Sequence, residues 1–564
     1  MIKILPETRY FILQEIFYPS SSVRFFSDKF NNNWSNKEIC PICRLRPMKE
    51  NFDRCKHCLD RRIGQAENWI GQTQKQTIWL DESSDHNDRV ALLVGCFILD
   101  NWLNGSFIKT MAIAIRNNVP TPKHPSPARI RRCWETTQEF IKNTVLDGIV
   151  KNYSYAEGSP HIELRNKRIK FTISPSPNIP KGSTIDIDID GVRLSPVCID
   201  KSNGVFISTT NLQILSNKGK TVDEIASWMN RKETKIKKEN ESKWQGEYCI
   251  SNASPAELKF QDYLPYVPIY DFPDQFMVLV PAYDAMEVAK KIVDAYEIHF
   301  SKVRDRLPFH LGLIAFHRRT PLYVAMDAGK RLVETFRRKT KTINARVDAI
   351  TQVQDSELGN YVKKITLNAD PCYSSVPLVW QMSYSTGDPA QEDEWHPYIR
   401  VNGNPNRGDY SFDYDGNGNH VVHVKELQPN DCVKIETSYL KITFFETASD
   451  RFKVDEKLLP LDDLKRLDEI WSDIQSIISS KRIDIAQIYA FWQEFKKRYE
   501  EYSGDLVWES FVKSSLTNIF KLSPTKDSEL FNKLFQATKD GLLDLCLYWN
   551  LQVRKIKPEE QEVK

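Results

Sequence analysis

Apolar and polar positions follow three different rhythms along this chain. The run RVALLVGCFIL, Arg89 to Leu99, is apolar almost throughout, the mark of a strand covered on both faces. Asn101 to Gly105 then predict a turn. In TPKHPSPARIRRCWETTQEF, Ser126 stands before Pro127, which predicts an N-cap, a proline at the first helical position and an amphipathic helix behind them. From 150 to 250 the period falls to two. HIELRNKRIKFTI, TIDIDIDGVRLSPVCID and GVFISTTNLQIL alternate or run apolar between Gly, Pro, Asn and Ser breaks, and predict a small antiparallel β insertion. Within it, NRKETKIKKENES (Asn230–Ser242) is polar enough to predict a solvated loop.

A compact αβ stretch follows. VPIYDF and FMVLVPA, separated by Pro273, Asp274 and Gln275, predict a hairpin. DAMEVAKKIVDAYEIHFSKVRDR predicts a helix, FHLGLIAFH a strand, and PLYVAMDAGKRLVETFRRKT another helix. Residues 345–450 turn mainly β again, with a polar tip at NGNPNRGDYSFDYDGNGNH. From 455 to 556 the period is helical throughout, which predicts a terminal bundle of about five helices. The fold class is therefore α+β. The predicted segments are 1–36, a zinc-binding module at 37–75, a first αβ part at 76–149, the β insertion at 150–255, a second αβ part at 256–345, a β-rich region at 346–454 and the helical domain at 455–564.

Composition narrows the partners. A chain of 564 residues has room for several cores. Its net charge is only +3, so any contact with nucleic acid has to come from local patches. No stretch approaches the ~18 apolar residues of a membrane span, and the N-terminal sequence lacks a basic region followed by an apolar core, so no membrane partner and a cytoplasmic setting are expected. The 11 cysteines include a cluster of four and are otherwise scattered singly, unlike a secreted disulfide framework.

That cluster is the strongest local chemistry. In CPICRLRPMKENFDRCKHC, two CxxC pairs supply Cys40, Cys43, Cys55 and Cys58, and the eleven residues between the pairs are enough to fold the second turn back on the first. Four thiolates leave no open coordination position, so a structural zinc ion is predicted. His57 is read as a surface residue. Arg44, Arg46, Arg54, Arg61 and Arg62 surround the cluster and are either RNA phosphate contacts or solvated decoration.

CPICRLRP, CKHCLDRR and RVALLVGCFILDNW together resemble the large subunit of type III CRISPR RNA-guided effectors, the Cas-ten proteins, and within them the Csx-eleven-like subgroup. SPARIRRCWETTQEF at 126–140 and the long block at 276–332 strengthen the resemblance, with EDEWHPYIRV at 392–401 behind them. The resemblance implies a ferredoxin-like βαββαβ palm carrying a β insertion, with the helical end packing beside neighbouring subunits. It also implies guide RNA, target RNA and the other effector subunits as partners. Active members hold two metal ions with carboxylates written DxDN and GGDD. Here the first motif reads Ile98-Leu99-Asp100-Asn101 and the second Phe272-Pro273-Asp274-Gln275. Both glycines are gone and Gln275 stands for the second Asp, so only Asp100 and Asp274 remain, with Asp271 nearby. A degenerate, non-catalytic palm is expected. The alternative is a cyclase that still makes cyclic oligoadenylate from ATP on those two acids. None of the ten His is followed by Asp, so the family's HD nuclease is not expected in this sequence.

Further acids and bases read more plainly. Asp186, Asp188 and Asp190 share one strand face ending in an Asp-Gly turn, rather than a cation site. Asp413, Asp415 and Asn417 only faintly resemble a calcium loop. His310 and His317 flank an apolar strand as packed or end-of-strand residues. Arg129, Arg131 and Arg132 at a helix start are candidate phosphate contacts. So is the 300–340 region: Arg304, Arg306, Arg318, Arg319, Lys330, Arg331, Arg337, Arg338 and Lys339. Solvated faces are the other account of both groups.

Overall fold

The computed structural model describes residues 38–40, 43, 45–49, 55–71, 77–116, 119–153, 161–238, 243–257, 263–480, 483–502 and 506–555. The architecture is mixed α+β. Two compact units share the chain: Met1–Glu82 with His161–Leu264, and Ser83–Pro160 with Pro265–Lys564. The expected segment 1–36, Arg44, Arg54 and the side chain of Arg62 lie outside the described residues.

In the first unit, helix α1 (Lys56–Gly71) begins right after Cys55 and carries Cys58 in its first turn. A seven-stranded sheet runs Val192–Leu194, Ile185–Ile189, Glu233–Lys238, Gln245–Pro255, Ile169–Ser174, Val205–Ser208, Pro196–Asp200 from edge to edge. Its inner face buries Phe171, Ile173, Ile187, Ile236 and Ile250 against Ile225 and Met229 of the helix Val222–Met229. The loop expected at Asn230–Ser242 is corrected here. Glu233–Lys238 is a central strand, because Thr234 and Ile236 fall two apart and sink inward while Glu233 and Lys235 stay wet. Residues 239–242 lie outside the described residues. The Asp-Gly turn forms as read, with Asp190 at φ +50° and Gly191 at φ +83° and Ile189 paired with Val192. Its acids are engaged: Asp186 accepts from Ser195 Oγ at 3.0 Å, Asp188 from Gly191 N at 3.0 Å, and Asp190 from Lys232 at 2.7 Å.

The second unit is built on six strands: β1 (Arg89–Phe97), β2 (Val267–Phe272), β3 (Gln275–Pro281), β4 (Phe309–His317), β5 (Tyr439–Phe445) and β6 (Leu459–Pro460). They lie in the order β2-β3-β1-β4-β5-β6, and every neighbouring pair is antiparallel except β4 with β5. Helix α2 (Pro127–Glu139), continued by a π-helical stretch Phe140–Val150, links β1 to the hairpin; α3 (Ala285–His299) links the hairpin to β4. Ser126 caps α2 as expected, its Oγ accepting from Arg129 N at 3.4 Å, with Pro127 at the helix start. Helix α4 (Leu322–Lys339) follows β4.

The unbroken apolar run of β1 has a direct cause. Phe97 packs on one face with Phe140, Tyr296, Phe300 and Phe309. On the other face Leu92 lies close to Gly329 of α4, the helix that covers it. The turn expected at Asn101–Gly105 is corrected in part: Asp100–Leu103 make one helical turn, held because Trp102 is buried and its Nε1 donates to the Arg306 carbonyl at 2.9 Å.

A second seven-stranded sheet fills 342–436, in the order Leu378–Ser383, Gly359–Ala369, Thr342–Asp355, Cys432–Glu436, Tyr398–Val401, His420–His423, Ser411–Asp413. The chain closes with helices α5 (Asp463–Ser479), α6 (Ile485–Tyr502), α7 (Leu506–Asn518), α8 (Ser528–Lys539) and α9 (Leu542–Leu547). Ile470, Trp471, Ile474 and Ile477 bury one stripe of α5; Ile488, Phe491, Trp492 and Phe495 do so for α6.

Candidate functional site

Cys40 lies between the bridged residues Ile39 and Pro47, and its N–H donates to the Arg46 carbonyl at 2.8 Å, closing the first knuckle. Cys55 immediately precedes α1, and Cys58 sits in its first turn, where Cys58 N meets Cys55 Sγ at 3.4 Å. The four Sγ atoms lie within 4.8 Å of one another, with Cys43 and Cys55 at 3.7 Å. A metal–sulfur bond of roughly 2.3 Å gives a tetrahedron with edges of roughly 3.8 Å, so the spacing suits a bound metal ion. Burial, followed by the neighbouring sulfurs, pushes the Cys58 thiol up to about 12. Burial likewise raises the Cys55 thiol, and a cation among the sulfurs reverses that preference. Cys40 and Cys55 are buried and Cys43 and Cys58 half-buried, a closed four-sulfur set. Among the described residues, it is the one group of three or more His, Cys, Asp or Glu side chains placed to share a metal ion.

The hairpin between β2 and β3 turns through Pro273 and Asp274, with Phe272 opposite Gln275. The Asp274 carbonyl accepts from Phe97 N at 2.7 Å, which seats the turn beside the end of β1. Asp274 Oδ2 accepts from Arg337 Nη2 of α4 at 2.6 Å. The sequence offered Arg337 only as a candidate phosphate contact or a solvated surface cation. Its role as the carboxylate's partner depends on α4 crossing the sheet, which no local pattern signals. Gln275 faces Cys96 across the β1–β3 pairing, and burial pushes the Cys96 thiol up to about 12. Tyr270 stacks on Phe272 at 5.1 Å between ring centres, and Phe272 is exposed. Asp100 and Asp271 are exposed and Ile98 half-buried. Among the described residues, Asp100, Asp271 and Asp274 do not form a group of three acids placed to share a metal ion.

The basic candidates divide sharply. Arg318, expected to contact phosphate, is corrected: it is buried against Asp88 at 2.8 Å. Arg304 and Arg306 are likewise buried, Arg304 against Asp462 at 2.7 Å and Arg306 against Asp305 at 2.8 Å. Arg331 pairs with Asp327 and Arg338 approaches Asp455. Arg61, Arg132, Arg319, Lys330 and Lys339 are exposed. Arg131 is exposed and pairs with Glu135, and Arg129 reaches the His124 carbonyl. His310 is fully buried, bonded to Thr340 Oγ1 and Tyr439 N, and burial drives its pKa down to about 3. Asp413 accepts the backbone N–H groups of Asp415, Gly416 and Gly418, the work of a turn carboxylate.

No family model matches this chain, and no curated protein or solved structure matches it either. Among the described residues, no helix is long and apolar enough to cross a membrane.

Proposed function

We propose that the chain is a large-subunit component of a type III CRISPR RNA-guided ribonucleoprotein whose palm carries no nucleotidyl chemistry. The reading begins from the resemblance of the sequence blocks. The order β2-β3-β1-β4, antiparallel throughout and linked by α2 and α3, is the order a ferredoxin-like palm requires. The observation that carries the loss of chemistry is the hairpin: Asp274 is neutralised by Arg337, and Gln275 stands beside it. Two-metal transfer needs several carboxylates gathered around two cations, and among the described residues Asp100, Asp271 and Asp274 are not gathered into such a group.

In this reading the four cysteines hold structural zinc, and the cysteine module and palm give shape. Exposed arginines such as Arg61, Arg132 and Arg319 lie along guide and target RNA backbone, and α5–α9 pack as a helical bundle beside neighbouring subunits. Base pairing by the guide supplies specificity, and the particle acts in cytoplasmic antiviral defence. Co-expression with guide RNA and the repeated backbone subunits tests it. Co-purification of the chain with both is expected; a chain that stays monomeric and free of RNA overturns it. The assembled particle, given ATP, Mg²⁺ or Mn²⁺ and target RNA, is expected to make no cyclic oligoadenylate. Product that disappears in Asp274→Ala overturns the loss of chemistry while leaving the assembly role standing.

A further inference from the structure

A second cluster of acid–base side chains lies just before the strand Tyr398–Val401 of the second unit. Asp393 is almost wholly buried, and both its oxygens stand 3.1 Å from His396 Nδ1. Asp393 Oδ1 also accepts the N–H groups of Trp395 at 2.9 Å and His396 at 3.2 Å, and Oδ2 accepts from Lys302 Nζ at 2.7 Å. The backbone is pinned as firmly. Buried Arg306 donates to the carbonyls of His396 and Tyr398, and His423 Nε2 meets the Asp393 carbonyl at 2.8 Å. Burial alone raises the Asp393 carboxyl, but hydrogen bonds from His396 and Lys302 outweigh it and hold it below the usual carboxylate range. An anion at Nδ1 keeps the ring proton there and leaves Nε2 basic.

Nε2 faces Lys123, whose Nζ stands 3.5 Å away. Lys123 follows the short strand Val119–Pro122. That strand is brought to the turn by its partner Ala112–Arg116, because Ala112 N donates to the Trp395 carbonyl at 2.8 Å. Burial, then the charges of Arg129 and Arg132, lower the Lys123 pKa. The side chain of His396 is 43% exposed and Trp395 is 37% exposed, so both are open to a ligand.

We propose that His396 and Lys123 form an acid–base site that cleaves single-stranded RNA, with Asp393 as its positioning residue. His396 Nε2 faces an ammonium rather than a protein hydroxyl or thiol, so the nucleophile comes from outside the protein, and a substrate that carries its own needs no positioned water. RNA does so, because its 2′-hydroxyl lies beside its own phosphodiester. Lys123, Arg129 and Arg132 attract the phosphate, and the Trp395 face accepts a base. His396 Nε2 takes the 2′-hydroxyl proton as the 2′-oxygen bonds to phosphorus. The bond from phosphorus to the 5′-oxygen breaks, and that oxygen takes a proton from the Lys123 ammonium. The proton on Nε2 then passes to Lys123 and restores both groups. The products are a 2′,3′-cyclic phosphate and a 5′-hydroxyl. This site is separate from the hairpin and does not rest on the palm reading.

The test uses the purified full chain and a fluorescent single-stranded RNA in excess EDTA. Fragments ending in 2′,3′-cyclic phosphate are expected by mass spectrometry, and none from the same strand with 2′-deoxyribose. His396→Gln and Lys123→Met should each slow cleavage by at least ~100-fold with the thermal unfolding midpoint unmoved, and His396→Gln should leave the RNA gel shift unmoved as well. RNA that stays intact with the native chain, or is cut equally by native chain and His396→Gln, overturns the proposal.

Discussion

Arg168 clasps Glu82 with both arms of its guanidinium, Nε to Oε1 at 2.5 Å and Nη2 to Oε2 at 2.8 Å. Both side chains are out of water, and the guanidinium is packed between the rings of Trp69 and Tyr263. Thr77 Oγ1 also donates to Glu82. Such a pair is strong against its broken halves and weak against an apolar replacement. Arg168→Met should therefore destabilise the first unit by about 3–5 kcal/mol. The double change Arg168→Met with Glu82→Leu should recover much of that loss. Denaturant titration followed by hydrogen exchange in Ile169–Ser174 measures both.

The cysteine cluster should bind one metal ion per chain, and zinc is the expected one. Elemental analysis of the purified chain checks the stoichiometry. A chelator strong enough to strip it, or Cys43→Ser, should expose α1 to protease while the second unit keeps its thermal transition.

Gly95 lies opposite Phe276 across β1 and β3, and a Cβ at Gly95 would land inside that ring. Gly95→Ala should cost about 1–3 kcal/mol through overpacking. Adding Phe276→Leu should return part of it. The unfolding midpoint of the second unit reads the difference.

Asp85 predicts a pH dependence. Its Oδ1 accepts from Asn87 N and Arg89 N, its Oδ2 is buried without a partner among the described residues, and burial raises its pKa from 3.8 to about 7. Between those values the folded protein holds a proton that the unfolded chain has released. Stability from this group therefore falls as pH rises from about 4 to about 7. Asp85→Asn should match the native chain near pH 4 and exceed it above pH 7. Urea unfolding at about pH 5 and about pH 8 separates the two.

Features set by a few neighbouring residues were legible in the sequence. Ser126 before Pro127 gave a cap, the two CxxC pairs gave the sulfur cluster, and the unbroken run at Arg89 gave a strand covered on both sides. Features set by distant partners were not. Glu233–Lys238 hides its period of two beneath lysines, whose stems tolerate a wet strand face as well as a loop. Arg318 looked like a surface cation because nothing in its neighbourhood shows that Asp88 waits across the fold. The hairpin itself was readable from Pro273 and Asp274, but the guanidinium that balances it comes from the last turn of α4. His396 and Lys123, separated by 273 residues, meet only through the short strand pair at 112–122.

The side-by-side lie of β4 and β5, with Leu311 beside Leu440, has a consequence for the chain during its synthesis. The ribosome must make the whole 342–436 sheet before β5, the neighbour of β4 in the six-stranded sheet, can emerge. Until then the outer flank of β4 presents open backbone groups in a nascent chain. Chaperone binding on the ribosome should accordingly peak while residues 342–436 emerge and fall once Tyr439–Phe445 has cleared the exit tunnel.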